Sequence, residues 1–209
     1  LYNVRSEALA KTLFPLGELT KPEVRAHAAR MGLATADKPE SQEICFVPDG
    51  DYAKVVERLR PEATQASGSI VDEAGQILGR HRGIHRFTVG QRHGLGIASD
   101  RRLYVVRLEP ESQRVVVGDA TDLDCSGARV ERVGWISGEE PDGPIRVRVQ
   151  VRHRHRAVGA EVRALASGET EVRFDEPVRA VAPGQAAVFY DEAGDDEVLG
   201  GGFLVEGRR

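Results

Sequence analysis

Ile145-Arg146-Val147-Arg148-Val149-Gln150-Val151-Arg152-His153-Arg154-His155-Arg156 alternates between apolar and polar residues. Val147, Val149 and Val151 take one side; Arg146, Arg148, Gln150, Arg152, Arg154 and Arg156 take the other. A period of two is that of a β-strand with one face in a core. Read as one strand, the stretch sets a row of guanidinium groups outside a sheet. Charges of one sign in a row repel unless a polyanion or carboxylates answer them, which favours phosphate contact over a merely solvated face. Outward from it, residues 128–135, 160–165, 170–174, 186–190 and 198–205 are also strand-like and are separated by Gly, Pro and Asp turns. Six short strands at such spacing fit a small closed barrel.

Further upstream the strand pattern continues in pairs. Residues 69–72 and 76–79 flank Glu73-Ala74-Gly75, and 103–108 and 114–118 flank Pro110-Glu111-Ser112, each a hairpin pattern. The beginning is helical instead. Residues 4–14 fit a helix ended by Pro15. Thr20-Lys21-Pro22-Glu23 fits a capping box ahead of a helix with Val24, His27, Ala28 and Met31 on one face and Gly32 as its stop. Asp49 or Asp51 can cap a short helix in which Tyr52, Val55, Val56 and Leu59 share a face. The fold class expected is therefore α+β and mainly β: a helical N-terminal remnant over 1–62, a small central β-rich domain over 63–122, and a six-stranded C-terminal barrel over 123–209.

Composition bounds the function. With 40% hydrophobic and 30% charged residues the chain has the make-up of a soluble globular protein. No apolar run approaches the roughly 20 residues that span a bilayer, and residues 1–5 do not have the pattern of a secretory signal. Two cysteines far apart argue against a disulfide scaffold or structural zinc, so a reducing cytoplasm is expected. The net charge is −4, yet acids and bases are segregated. Between Gln76 and Arg107 the only acid is Asp100, against seven arginines. A chain that is acidic overall can thus present a phosphate-binding face.

Cys45 lies in Ser41-Gln42-Glu43-Ile44-Cys45-Phe46-Val47-Pro48-Asp49-Gly50, between a polar run and a turn, which is a poor setting for core filling. Cys125 has acidic neighbours that raise a thiol pKa, and it reads as incidental. Gly90-Gln91-Arg92-His93-Gly94-Leu95-Gly96 lacks the Gly-Lys-Ser/Thr end of a nucleotide phosphate loop. Its glycines suit either docking of an RNA backbone or a tight turn against a neighbouring domain. His81 and His85 are four apart, but no cysteine or carboxylate cluster completes a metal site, and no metal is expected. Trp135, Phe174, Phe189, Tyr190 and Phe203 are expected in the barrel core.

Several motifs arrive in the order of one family: Thr20-Lys21-Pro22-Glu23-Val24-Arg25, Ser41-Gln42-Glu43-Ile44-Cys45-Phe46-Val47-Pro48, Gly68-Ser69-Ile70-Val71-Asp72, Phe87-Thr88-Val89-Gly90-Gln91-Arg92-His93-Gly94-Leu95-Gly96-Ile97, Pro183-Gly184-Gln185-Ala186 and Val198-Leu199-Gly200-Gly201-Gly202. The chain resembles the bacterial-type tRNA-specific 2-thiouridylases, which replace the C2 oxygen of the wobble uridine with sulfur. The resemblance implies a barrel like those of translation factors, and Cys45 as the persulfide-bearing catalytic cysteine. It also implies tRNA contacts at Arg152-His153 and at Gln185, with histidine where tyrosine is common, and Arg92 joins them as a basic candidate. Family members begin with an ATP-pyrophosphatase domain carrying a Ser-Gly-Gly-x-Asp-Ser loop and a first catalytic cysteine, neither of which is in this sequence. ATP with magnesium is therefore expected to serve the full-length enzyme from a site outside this chain, which alone is expected to be inactive. The partners implied are tRNA, a persulfide-relay protein that donates sulfur, and the missing N-terminal ATP-pyrophosphatase domain; no membrane is involved. The alternative is a standalone tRNA- or RNA-binding barrel module without catalysis.

Overall fold

In the computed structural model, residues 2–39, 47, 50–64, 67–153, 155–194 and 197–209 are described. Cys45 and the residues immediately around it lie outside the described residues. The chain opens with α1 (Ser6–Leu9) and α2 (Lys21–Arg30), followed by α3 (Tyr52–Leu59). A four-stranded sheet is built from β1 (Gly68–Asp72), β2 (Ile77–His81), β3 (Tyr104–Glu109) and β4 (Arg114–Gly118). A closed barrel follows, from β5 (Asp124–Trp135), β6 (Ile145–Gln150), β7 (Val158–Ala164), β8 (Thr170–Arg179), β9 (Ala186–Tyr190) and β10 (Val198–Arg208). The α+β, mainly β class with a six-stranded barrel is what the strand pattern implies.

The barrel closes in the order β10-β5-β8-β7-β6-β9. Its core takes every second residue of β6 and its continuation, so Val147, Val149 and Val151 are fully buried beside Phe189, Val162 and Val130. β10 enters through Gly200-Gly201-Gly202. A Cβ on Gly201 would lie 2.5 Å from the Ala187 carbonyl oxygen and 2.7 Å from the Tyr2 ring. Glycine there lets β9 and β10 approach closely while Tyr2, from the other end of the chain, lies on the outer face. Phe203 is on that outer face too, edge-on to Tyr2 at 6.5 Å with the Arg132 guanidinium 5.6 Å from its ring centroid. It is therefore not part of the core that its aromatic type suggests. Trp135 does pack against Phe189, 5.6 Å between ring centroids.

The central sheet is ordered β2-β1-β4-β3. Both expected hairpins form, but β1 and β4 pair in parallel, a non-local contact that brings the two hairpins side by side. Ile70, Val105, Val115 and Val117 fill one core. A second small cluster, Val106, Leu123 and Ala180 with Val89 and Tyr104, joins the sheet to the barrel.

The first helix is much shorter than the 4–14 pattern suggests: four residues, followed by turns. Leu13 is 85% and Phe14 57% exposed, so no burial supports continuation, and helices this short are marginal without it. In α2 the Thr20 amide and hydroxyl both donate to the Glu23 carboxylate, as the capping pattern implies. Its expected face is only partly covered: Val24 and Ala28 are half-buried, while His27 and Met31 are exposed. Of the two possible caps for α3, Asp51 serves, accepting from the Lys54 amide at 3.2 Å.

Candidate nucleic-acid interface

Every strand pairing in the barrel is antiparallel, so the exits of β6, β8 and β10 and the entrances of β5, β7 and β9 share one rim. β6 stops at Gln150, sooner than the sequence pattern suggests, and the chain turns over 152–155 with the His155 amide donating to the Arg152 carbonyl at 3.1 Å. Two devices hold this turn. Val151 is buried beneath it, and the Gln150 amide donates to the His155 carbonyl at 2.7 Å while its oxygen accepts from the Tyr190 hydroxyl at 3.2 Å. Arg152 and His153 are left exposed on the rim, without a hydrogen bond from either side chain.

Gln185 stands at the entrance of the adjacent strand. The β6–β9 register ends with Gln150 opposite Val188, so Arg152 and His153 leave β6 at the rim where β9 begins. Paired bonds fix the Gln185 backbone: the Leu204 amide donates to the Gln185 carbonyl and the Gly184 amide to the Leu204 carbonyl, each at 2.8 Å. The Gln185 side-chain amide is exposed and makes no hydrogen bond with the protein. The structure thus gathers Arg152, His153 and Gln185 at one end of the barrel.

The row of arginines expected along β6 is not a free cationic row. Arg146 makes a two-pronged contact with Asp175 at 2.8 and 2.6 Å and reaches Glu192 at 3.2 Å. These carboxylates raise the Arg146 pKa still further, and Arg146 in turn holds the Asp175 carboxyl below its usual range. Arg148 donates to the Asp191 carbonyl at 3.2 Å. Carboxylates, rather than a polyanion, answer the strand's charge, and the cations left open are those beyond its end.

Arg92 lies on the central unit, in the loop between the 3₁₀ turn Ile84–Arg86 and β3. It is exposed and joins His93, Arg101 and Arg102 around an open recess of about 320 Å³. This loop abuts the barrel, since a Cβ on Gly90 would come 2.9 Å from that of Ala180.

Of the segment that holds Cys45, the downstream flank is described. Val47 is only 2% exposed, and the Gly50 amide donates to its carbonyl at 3.1 Å. α3 follows and is tied to the central unit through Glu57, whose carboxylate accepts from His85 Nε2 at 3.2 Å and from Arg86. These two bonds, that of His85 first, lower the Glu57 pKa. His85 is thus a partner of a carboxylate. His81 is buried, its Nδ1 accepting from the Gly83 amide and its Nε2 donating to the Gln113 carbonyl at 3.0 Å. No group of His, Cys, Asp and Glu among the described residues could hold a metal.

Cys125 is buried at the start of β5. Burial, more than the acidic neighbour Asp124, pushes its thiol pKa up, while a bond from the Val181 backbone opposes the shift.

Sequence reasoning missed Gln91, Gln150 and Glu57, which fix the loops around these residues. The Thr88-x-x-Gln91 spacing was the one local signal: the Gln91 side chain accepts from the Thr88 amide at 3.0 Å and donates to the His93 carbonyl at 2.9 Å.

This six-stranded barrel with exposed cations at one rim, joined to a small sheet with a basic loop, is matched along its length by three family models. Residues 1–49 match the tRNA methyl transferase HUP domain, 56–119 the tRNA methyl transferase PRC-barrel domain, and 126–204 the aminomethyltransferase beta-barrel domain. Curated relatives named tRNA-specific 2-thiouridylase MnmA include those of Acidobacterium capsulatum, 48% identical, and Solibacter usitatus, 51% identical; each alignment covers 98% of this chain and 56% of the relative. Another, MnmA 2 of Syntrophus aciditrophicus, is 45% identical over 99% of this chain and 65% of its own length. The chain belongs to the tRNA-specific 2-thiouridylase family. It spans a little over half the length of these relatives.

Proposed function

We propose that this chain is the persulfide-bearing and tRNA-docking portion of a tRNA-uridine 2-sulfurtransferase. Three units divide the work: 1–62 carries the catalytic Cys45, 63–122 links, and 123–209 docks tRNA. The observation that carries the reading is the joint presence of the Ser41–Pro48 motif around Cys45 and an open rim formed by Arg152, His153 and Gln185.

Each part has a physical role. A persulfide on Cys45 provides the sulfur that replaces the uridine C2 oxygen: its terminal sulfur bonds to C2 as the activated oxygen leaves, or departs as hydrogen sulfide. In either case a second cysteine outside this chain breaks the S–S bond by forming a disulfide with Cys45, which a thiol reductant then reopens. Such transfer requires a thiolate to accept the donor's sulfur. Arg152 and Arg92 contribute charge to the phosphate backbone, His153 a ring on which a base can stack, and Gln185 an amide with unused donors and acceptor. ATP, with magnesium, supplies activation of the C2 oxygen as a leaving group. This sequence holds no Ser-Gly-Gly-x-Asp-Ser loop, so no residue here is assigned to that step. The ATP-pyrophosphatase portion covers the exposed Leu13, Phe14, Leu16, Met31 and Leu33. The sulfur donor is a persulfide-relay protein, and the setting is the reducing cytoplasm.

The test loads the chain with labelled sulfur from a cysteine desulfurase and maps the label by mass spectrometry. Label on Cys45, lost in Cys45→Ala while tRNA affinity stays within about twofold, supports the role. Label on Cys125, or persisting in Cys45→Ala, sinks it. tRNA binding with no loading of Cys45 favours the second reading, an RNA-binding module without catalysis, which the open rim also supports.

A further inference from the structure

We propose that the loop 92–102 is a phosphate site that takes a backbone phosphodiester of the RNA held on the barrel rim, so that one docking surface runs from the barrel onto the central sheet. The inference rests on the tRNA-docking reading above and adds to it a second site, in which Arg92 is joined by His93, Arg102 and the amides of Gly94 and Gly96.

The loop is built rather than loose. Leu95 and Leu103 are buried in the central core, and Ile97 lies over Gly79 of β2, where a Cβ would come 2.6 Å from it. Gln91 bridges the loop's entrance, and the Gly90 amide donates to the Val105 carbonyl while the Val105 amide donates to the Gln91 carbonyl. Between these anchors, Gly94 and Gly96 have φ of +76° and +69°, and the residues preceding each have negative φ. Neither glycine's amide donates within the protein.

The charge points the same way. About half of the described arginines sit against a carboxylate, as in Arg114–Glu109, Arg129–Glu169 and Arg208–Glu171, each at 2.6–2.7 Å. Around the recess, Arg101 pairs with Asp119 at 2.7 Å, whereas Arg92, His93 and Arg102 have no ionic partner. Two unanswered guanidinium groups beside unused glycine amides fit an anion with several acceptor oxygens.

Position selects the anion. Gly90 lies against Ala180, and five residues later the same barrel segment presents Gln185. Chain reach limits the distance from Arg92 to Gln185 to roughly 30 Å. One RNA chain can span both sites, and a site so close to the rim serves a phosphodiester better than a free nucleotide.

The experiment measures anisotropy of a fluorescent unmodified tRNA across a salt series, using this chain. Arg92→Ala with Arg102→Ala should lower affinity about tenfold at low salt and reduce the log–log salt slope by about one per arginine lost. Arg92→Lys with Arg102→Lys should keep most of the slope, and Arg146→Ala, whose charge is already answered, should change neither quantity. Wild-type affinity and slope in the double alanine variant would overturn this site while leaving rim docking, read from Arg152→Ala with Gln185→Ala, in place. An equal loss in Arg146→Ala would also overturn it, as a general charge effect. If ATP titrated alone shows an affinity that depends on Arg92 and Arg102 while tRNA binding does not, the site takes a nucleotide instead. Absence of salt-sensitive tRNA binding by the wild-type chain would remove the docking reading and this site together.

Discussion

Gly201 leaves no space for a side chain: an added methyl would press on the Ala187 carbonyl and the Tyr2 ring. Backbone must move to admit it, so Gly201→Ala should cost about 1–3 kcal/mol, the range of overpacking in well-filled interiors. Urea unfolding measures this, and an unchanged midpoint would show that β9 can yield freely. The two cysteines make a second contrast. Burial raises the Cys125 pKa, so at neutral pH this thiol is both covered and protonated. In a Cys45→Ser chain, alkylation by iodoacetamide should be slow when native and at least about a hundredfold faster in denaturant, since the thiolate is the reactive form. Rapid native labelling would mean that the start of β5 opens readily.

α3 and the loop 88–105 illustrate how elements are held by a few side chains. Glu57 joins α3 to the 3₁₀ turn through His85 and Arg86, and these bonds depress its pKa. A depressed carboxyl stabilises the fold above its unfolded pKa of about 4.3, and that contribution disappears as pH falls through the lower folded value. Amide exchange in α3 should therefore accelerate as pH drops below about 4, relative to the intrinsic rate. Asp51, the cap of α3, is lowered in the same direction by the Lys54 amide, so Glu57→Gln isolates the tie. That variant should weaken α3 protection near neutral pH and reduce its pH dependence; wild-type exchange in Glu57→Gln would show that the tie contributes nothing. Little of this was readable beforehand. His81 and His85 resemble a ligand pair by spacing alone, yet tertiary structure gives one a backbone partner and the other a carboxylate 28 residues away.

At the scale of the molecule, the N-terminal portion keeps its apolar residues outside: Leu13 is 85%, Leu16 53% and Met31 71% exposed. An uncovered patch of this kind promotes association. Leu13→Ser with Leu16→Ser should reduce concentration-dependent association in sedimentation velocity, without moving the barrel's unfolding midpoint; association unchanged by the pair would place the sticky surface elsewhere. The sequence by itself determined the mainly β class, the six barrel strands and the buried valines of β6, because strand period and turn residues are local properties. Motif order likewise marked Cys45, Gln185 and the Arg152-His153 pair. Tertiary structure alone decided that Arg146 meets Asp175 and Glu192, that Tyr2 lies on Gly201, and that Gly90, just before the loop 92–102, lies against Ala180 at the barrel rim. Those contacts join residues from about 30 to 200 positions apart, and a charge pattern read along one strand cannot reveal which carboxylates the closing of a barrel brings against it.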